Sequence, residues 1–116
     1  DAHRLSPVEL MTVLRAVLER ARSGQLRSSD LADSTLSVSH LGDLGAESVQ
    51  GVIYPPQVAL VGFGTPRLKP MVRDGSVQPR LAITATLAAD HRVSDGRRGA
   101  LFLAEIDRLL QEPDSP

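Results

Sequence analysis

Arg80-Leu81-Ala82-Ile83-Thr84-Ala85-Thr86-Leu87-Ala88-Ala89 runs without a break into Asp90-His91-Arg92-Val93-Ser94-Asp95-Gly96. In the first ten residues Leu81, Ile83, Ala85 and Leu87 fall on alternate positions, the two-residue period of a half-buried strand. The pattern predicts one strand over 80–89. Beyond the turn, Gly99, Ala100, Leu103, Ile106, Leu109 and Leu110 supply the apolar stripe of a helix over 97–111, which Pro113 ends. Asp95 stands near the start of that helix, where a carboxylate meets orphan N–H groups and the positive end of the macrodipole. The polar stretch is thus the corner between a buried strand and a helix, where a side chain is held rigidly and can still face a cleft. His91 is the residue at this corner able to act as a general base near neutral pH. Asp95, four residues on, can orient the ring, pair with an arginine or only cap the helix. On spacing alone the plain reading, a turn histidine ahead of an Asp-Gly N-cap, outweighs catalysis.

Upstream, Asp74-Gly75 separates 67–73 from 76–78 and is the strongest short hairpin signal in the chain. The stretch 58–64 is continuously apolar and reads as a buried strand, with Gly62-Phe63-Gly64 as a bend at its end. Tyr54-Pro55-Pro56-Gln57 breaks regular structure, because prolines fix φ and withhold donors. Thr35-Leu36-Ser37-Val38-Ser39 alternates as a strand does, and a glycine-punctuated loop follows from His40 to Gly45. A polar connection over 27–34 precedes it. Ser6-Pro7-Val8-Glu9 has the form of a capping box with proline at the first helical position. Leu10, Met11, Leu14, Val17, Leu18 and Ala21 then form one helical face, and Gly24 is the stop signal. Helix, several strands, helix: the order predicts a mixed α/β arrangement with strong antiparallel content. A sheet of four or so strands would leave edges open, which points to missing structure or a partner.

At 116 residues the chain is one domain or part of one, and its 41% hydrophobic and 23% charged residues are ordinary globular composition. Thirteen basic against 14 acidic residues give a net charge of −1, so nothing draws it to nucleic acid or an acidic membrane. Only Tyr54, Phe63 and Phe102 are aromatic, which argues against a stacking platform for single strands. The absence of cysteine removes disulfides, thiolate nucleophiles and Cys-ligated zinc, and fits a reducing compartment; the cytoplasm is the expected location. No apolar run is long enough to span a bilayer, and no signal peptide is visible. The start Asp1-Ala2-His3 reads as that of an excised piece. His3, His40 and His91 lack metal-ligand spacing, so no metal is expected. The glycines form neither a P-loop nor a dinucleotide fingerprint.

Asp90-His91-Arg92-Val93-Ser94-Asp95-Gly96 resembles the D-H-R-x-x-D-G signature of the dihydrolipoamide acyltransferases of 2-oxo acid dehydrogenase complexes. Leu36-Ser37-Val38-Ser39-His40-Leu41-Gly42 is similar to that family's F-T-I-S-N-L-G. Val52-Ile53-Tyr54-Pro55-Pro56-Gln57-Val58-Ala59-Leu60 resembles its I-I-N-P-P-Q-x-A-I-L, and Asp1-Ala2 with the first helix resembles the segment that opens this part of the family's domain. The resemblance covers nearly the whole chain, in order.

The resemblance implies a chloramphenicol acetyltransferase-like α/β sandwich, present in residues 1–116 as the C-terminal half of a catalytic domain. It implies homotrimers with active sites between subunits, built into a larger core. It implies transfer of an acyl group from dihydrolipoamide to coenzyme A, the lipoyl group being carried on a lipoyl domain outside this chain. The missing N-terminal half, the decarboxylase and the dihydrolipoamide dehydrogenase are the other implied partners. His91 aligns with the general base, Ser39 with the hydroxyl that stabilises the oxyanion, and Asp95 with a carboxylate that supports the site or pairs structurally. Without the missing half, poor folding and no turnover are expected.

Four residues depart from the family pattern. His40 and Tyr54 replace asparagines; His40 reads as a loop residue without a role, Tyr54 as packing or a hydrogen bond at a trimer contact. Arg97 and Arg98 follow Gly96 where small residues are usual, and a solvated face is their default reading over attraction of coenzyme A phosphates. Two alternatives stay open: a non-catalytic core subunit, which such histidine retention argues against, and an acyltransferase with a non-lipoyl acceptor.

Overall fold

The structure, a computed structural model, describes residues 2–32 and 34–112. The chain divides into two units, Asp1–Ser34 and Thr35–Pro116. In the first, the Ser6 hydroxyl accepts from Glu9 N at 3.4 Å while Ser6 N donates to Glu9 Oε2 at 2.8 Å, the reciprocal box the sequence predicts. This starts helix α1 (Pro7–Arg22), which closes at Ser23 with Gly24 left-handed at φ 70°. Its apolar stripe is exposed: Leu10, Met11, Leu14 and Leu18 keep 38–47% of their surface. The expected polar connection over 27–34 instead contains one helical turn, α2 (Ser28–Leu31). Asp30 makes it, because its carboxylate accepts from Arg27 N at 3.0 Å and from the Arg20 guanidinium at 2.7 and 3.0 Å. These bonds, the Arg20 fork first, hold the Asp30 carboxyl down at about 2.

The second unit contains two separate sheets. Strands β1 (Leu36–His40), β2 (Ala59–Phe63) and β5 (Ala85–Ala89) lie in the order β1-β2-β5. β1 and β2 are parallel, with Leu36 opposite Ala59 and His40 opposite Phe63; β2 and β5 are antiparallel. A parallel pair requires a long crossover, and residues 41–58 supply it. Helix α3 (Gly96–Gln111) covers the face carrying Val61 and Leu87, so closely that a Cβ on Gly99 would stand 3.3 Å from Leu87 Cδ2. Among the described hydrophobics only Val61 and Val49 are buried.

Strands β3 (Arg67–Arg73) and β4 (Ser76–Ala82) form a hairpin. Its turn, Asp74-Gly75, has φ of 50° and 74°, the paired positive values of a primed turn. The single strand expected over 80–89 is two: residues through Ala82 pair with β3, and those from Ala85 pair with β2. Between them Thr84 O accepts from Gly64 N at 3.0 Å. An alternating pattern states which side chains share a face, not which neighbour supplies the ladder, so a strand that changes sheets reads as one. Gly62 likewise is no bend; it lies inside β2. Pro113, the expected helix stop, and Asp1 lie outside the described residues. One face of the hairpin carries Leu68, Pro70, Val72, Val77, Pro79 and Leu81, all exposed; the other carries Arg67, Lys69, Arg73 and Arg80.

Candidate active site

The corner after β5 is built by two carboxylates. Asp90 N donates to Val58 O at 2.8 Å, and Asp90 O accepts from Val93 N and Ser94 N at 2.9 and 3.0 Å. The Asp90 side chain accepts from Arg92 N at 2.9 Å and from the Arg92 guanidinium at 2.6 to 3.1 Å. An aspartate bonding to the backbone two residues on closes an Asx turn, and that fixes the path of the chain through His91. Sequence reasoning did not single out Asp90 or Arg92 for this; the Asp-x-Arg spacing was the available signal.

The Arg92 fork, and next the Arg92 N–H, hold the Asp90 carboxyl at about 2, below its ordinary 3.8. Arg92 is 85% exposed, so the pair adds little to global stability and its effect is geometric. Because folding lowers this pKa, the pair's contribution is whole above 3.8 and is lost as pH falls through 2. Hydrogen exchange should therefore show protection of the Val93 and Ser94 amides falling across that window. In Asp90→Asn the same protection should not change there; a wild-type acid response in the variant would dissociate it from this carboxyl.

The second carboxylate is Asp95, whose Oδ1 accepts from Arg98 N at 2.8 Å as the N-cap of α3. Of the three roles open in the sequence, capping is the one its contacts fill. Asp95→Ala should cost about 1 kcal/mol of stability and Asp95→Asn only a few tenths, since asparagine caps as well as aspartate. Thermal unfolding of the two variants reads this, and equal losses would refute the cap's importance.

His91 lies between these two fixed points. It is exposed, and among the described residues it makes no hydrogen bond. A cleft of about 290 Å³ opens against the far side of the turn, lined by Leu36, Ala59, Val93, Ser94, Arg98 and Phe102 among others but not by His91.

Ser39 lies in β1, in the row Ser39–Gly62–Thr86, half-buried and with no hydroxyl partner among the described residues. The structure does not bring it to His91. The row Leu36–Ala59–Ala89 closes the sheet at the His91 end, while Ser39 is next to the opposite end. Thr86 precedes His91 by five residues, so the two sites stand on the order of 15 Å apart along the strands. His40 is exposed beside Gly42, whose missing Cβ would meet the ring Nε2 at 2.7 Å. Tyr54, Arg97 and Arg98 are exposed. No described helix is long and apolar enough to cross a membrane.

A model of the family described as 2-oxoacid dehydrogenases acyltransferase (catalytic domain) matches residues 1–116. An uncharacterized protein of Mycobacterium tuberculosis is 49% identical over 74 residues, 64% of this chain and 92% of that protein. The dihydrolipoyllysine-residue succinyltransferase component of the 2-oxoglutarate dehydrogenase complex of Rickettsia typhi is 32% identical over 98% of this chain, which spans 29% of its length. Among solved structures, the probable dihydrolipoamide acetyltransferase of Listeria monocytogenes superposes with a TM-score of 0.84 at 25% identity, over 90% of this chain and 44% of that one. The Azotobacter vinelandii dihydrolipoamide acetyltransferase gives 0.83 at 30% identity, over 91% and 44%. That structure concerns the catalytic role of a serine, a histidine 52 positions after it and an asparagine four positions further on. The chloramphenicol acetyltransferase-like α/β fold expected from the sequence is the one these likenesses support, and the chain belongs to the family of 2-oxoacid dehydrogenase acyltransferase catalytic domains.

Proposed function

We propose that residues 1–116 are the C-terminal half of an acyltransferase catalytic domain that moves an acyl group from dihydrolipoamide to coenzyme A, with His91 as general base. The observation that carries this is the exposed imidazole, without a hydrogen bond among the described residues, on a turn whose backbone is pinned on either side by Asp90 and Asp95. It stands 52 positions after Ser39 and four before Asp95, the spacing of the serine, histidine and asparagine studied in the Azotobacter enzyme.

The chemistry follows from what each group can do. A thiol with a pKa near ~8.5 is mostly protonated at neutral pH, and its thiolate is the nucleophile. A ring nitrogen of His91 takes the coenzyme A proton as sulfur attacks the thioester carbonyl. The resulting oxyanion accepts a hydrogen bond from the Ser39 hydroxyl, and collapse expels the dihydrolipoamide sulfur, to which His91 returns the proton. Asp95 does not touch this sequence; it holds the helix that ends the His91 corner. The residues present fit a thiol acceptor: no described carboxylate occupies the imidazole, and Arg97 and Arg98 leave a cationic rim at the start of α3.

Since Ser39 and His91 sit at opposite ends of one sheet, the reaction needs at least two copies, as in a homotrimer built into a larger core. The exposed apolar face of the hairpin and the exposed stripe of α1 suit a chain completed by the N-terminal half of the domain and by other subunits. A lipoyl domain, a decarboxylase and a dihydrolipoamide dehydrogenase, in the cytoplasm, complete the proposed setting. The test is transfer from S-acyl-dihydrolipoamide to coenzyme A by the assembled protein. Transfer to coenzyme A is expected; an assembled core that transfers nothing would be a structural subunit, and transfer only to small alcohols or amines would overturn the lipoyl assignment.

A further inference from the structure

We propose that Thr86 and Gly62 are positioning residues for Ser39, seating a strap of backbone across the face of the sheet that carries it; this rests on the oxyanion reading of Ser39 above. The strap is residues 46–57 of the crossover. At one end Thr65 N donates to Ala46 O at 2.7 Å. Next, the Cβ that Gly64 lacks would collide with the Glu47 carbonyl. At Gly62 an added Cβ would stand 2.7 Å from Val49 Cβ and 2.8 Å from Thr86 Oγ1, so the strap occupies the room a side chain would need. The Thr86 hydroxyl donates to Val49 O and fastens it there. Further along, Gly51 is seated on Leu60, and the Ser37 hydroxyl donates to Gln57 Oε1.

Ser39, Gly62 and Thr86 are register partners, so their side-chain positions share one face, at neighbour spacings of about 5 Å. Val49, resting where residue 62 would otherwise place a side chain, therefore borders the Ser39 position. Val49 is one of the two buried hydrophobics among the described residues, which makes it the fixed part of the strap. The Ser39 hydroxyl has no hydrogen-bond partner among the described residues, so its direction is limited by what bounds it. A donor to a developing oxyanion acts only when it is aimed within a fraction of an ångström.

The experiment is kinetic, on the assembled protein. Thr86→Val keeps the shape and removes the donor; kcat should fall about ten- to a hundredfold with KM unchanged. Thr86→Ser, which keeps the hydroxyl, should stay near wild type. In Ser39→Ala with Thr86→Val the second substitution should add nothing, because its effect passes through Ser39. Val49→Ala, which keeps the Thr86 bond and hollows the border of Ser39, carries the same test should Thr86→Val fail to fold. Multiplying losses in the double variant, or wild-type kcat in both single variants, would overturn the positioning role alone. Unchanged kcat in Ser39→Ala would remove the oxyanion reading and this inference with it.

Discussion

If His91 is the proposed base, His91→Ala should lower the rate of acyl transfer to coenzyme A by about 10²–10⁴-fold, the range lost when a positioned general base is removed. The structure makes this a clean measurement. The ring is exposed and has no hydrogen-bond partner among the described residues, so its removal leaves no buried group unsatisfied. Exposed substitutions of that kind stay within about 0.5 kcal/mol of wild-type stability. A large loss of rate with an unchanged unfolding midpoint is therefore chemical rather than structural. His91→Gln sharpens the point, since the amide keeps the size and hydrogen-bonding capacity of the ring and cannot take a proton from a thiol. Both variants should fall equally. Near-wild-type turnover in His91→Gln would leave the imidazole a role in contact only, and would end its assignment as base.

What the sequence disclosed about this site follows from range. The capping box at Ser6 and Glu9, the Asp74-Gly75 turn and the Asp95 cap each involve residues no more than three apart, and each is readable because the local residue types dictate it. The corner at His91 was readable for the same reason: a strand pattern stops, and a helix pattern begins. The partners of the strands were not. Leu81 and Leu87 belong to one unbroken alternation, yet they serve different sheets, since ladder partners come from residues far away in the chain.

The strap escaped for a related reason. Gly62 looked like punctuation, whereas its function is to leave space for Val49, thirteen positions upstream. Only the close spacing of Gly62 and Gly64 within an apolar run hinted at backbone passing overhead. His91 stands out by its place at the corner, whereas Ser39 is assigned by motif resemblance alone, since no local pattern separates it from Ser37. The structure distinguishes these two: the Ser37 hydroxyl is taken by Gln57, while that of Ser39 is not taken by any described residue.

Ser39→Ala should lower turnover by about 10²–10³-fold, as loss of one oxyanion donor does, and its combination with His91→Ala tests where the site is made. Each variant alone should be nearly inactive. If one chain supplied both groups to one site, every site in a mixture of the two variants would lack one of them, and mixing would recover nothing. The register opposes that arrangement, because His91 extends from the Leu36 end of the sheet and Ser39 lies near the His40 end. With sites shared between neighbours, a Ser39→Ala subunit still offers His91, and a His91→Ala subunit still offers Ser39. Their junction in the correct order is a whole site. Random assembly from equal amounts makes about one quarter of junctions whole in a ring of identical contacts. Co-assembled variants should then regain about a quarter of wild-type turnover, more than tenfold above either parent. The activity should track the mixing ratio and peak at equal amounts. Co-assembly shown by mass, with turnover no higher than the parents', would mean the two groups do not meet across a subunit boundary.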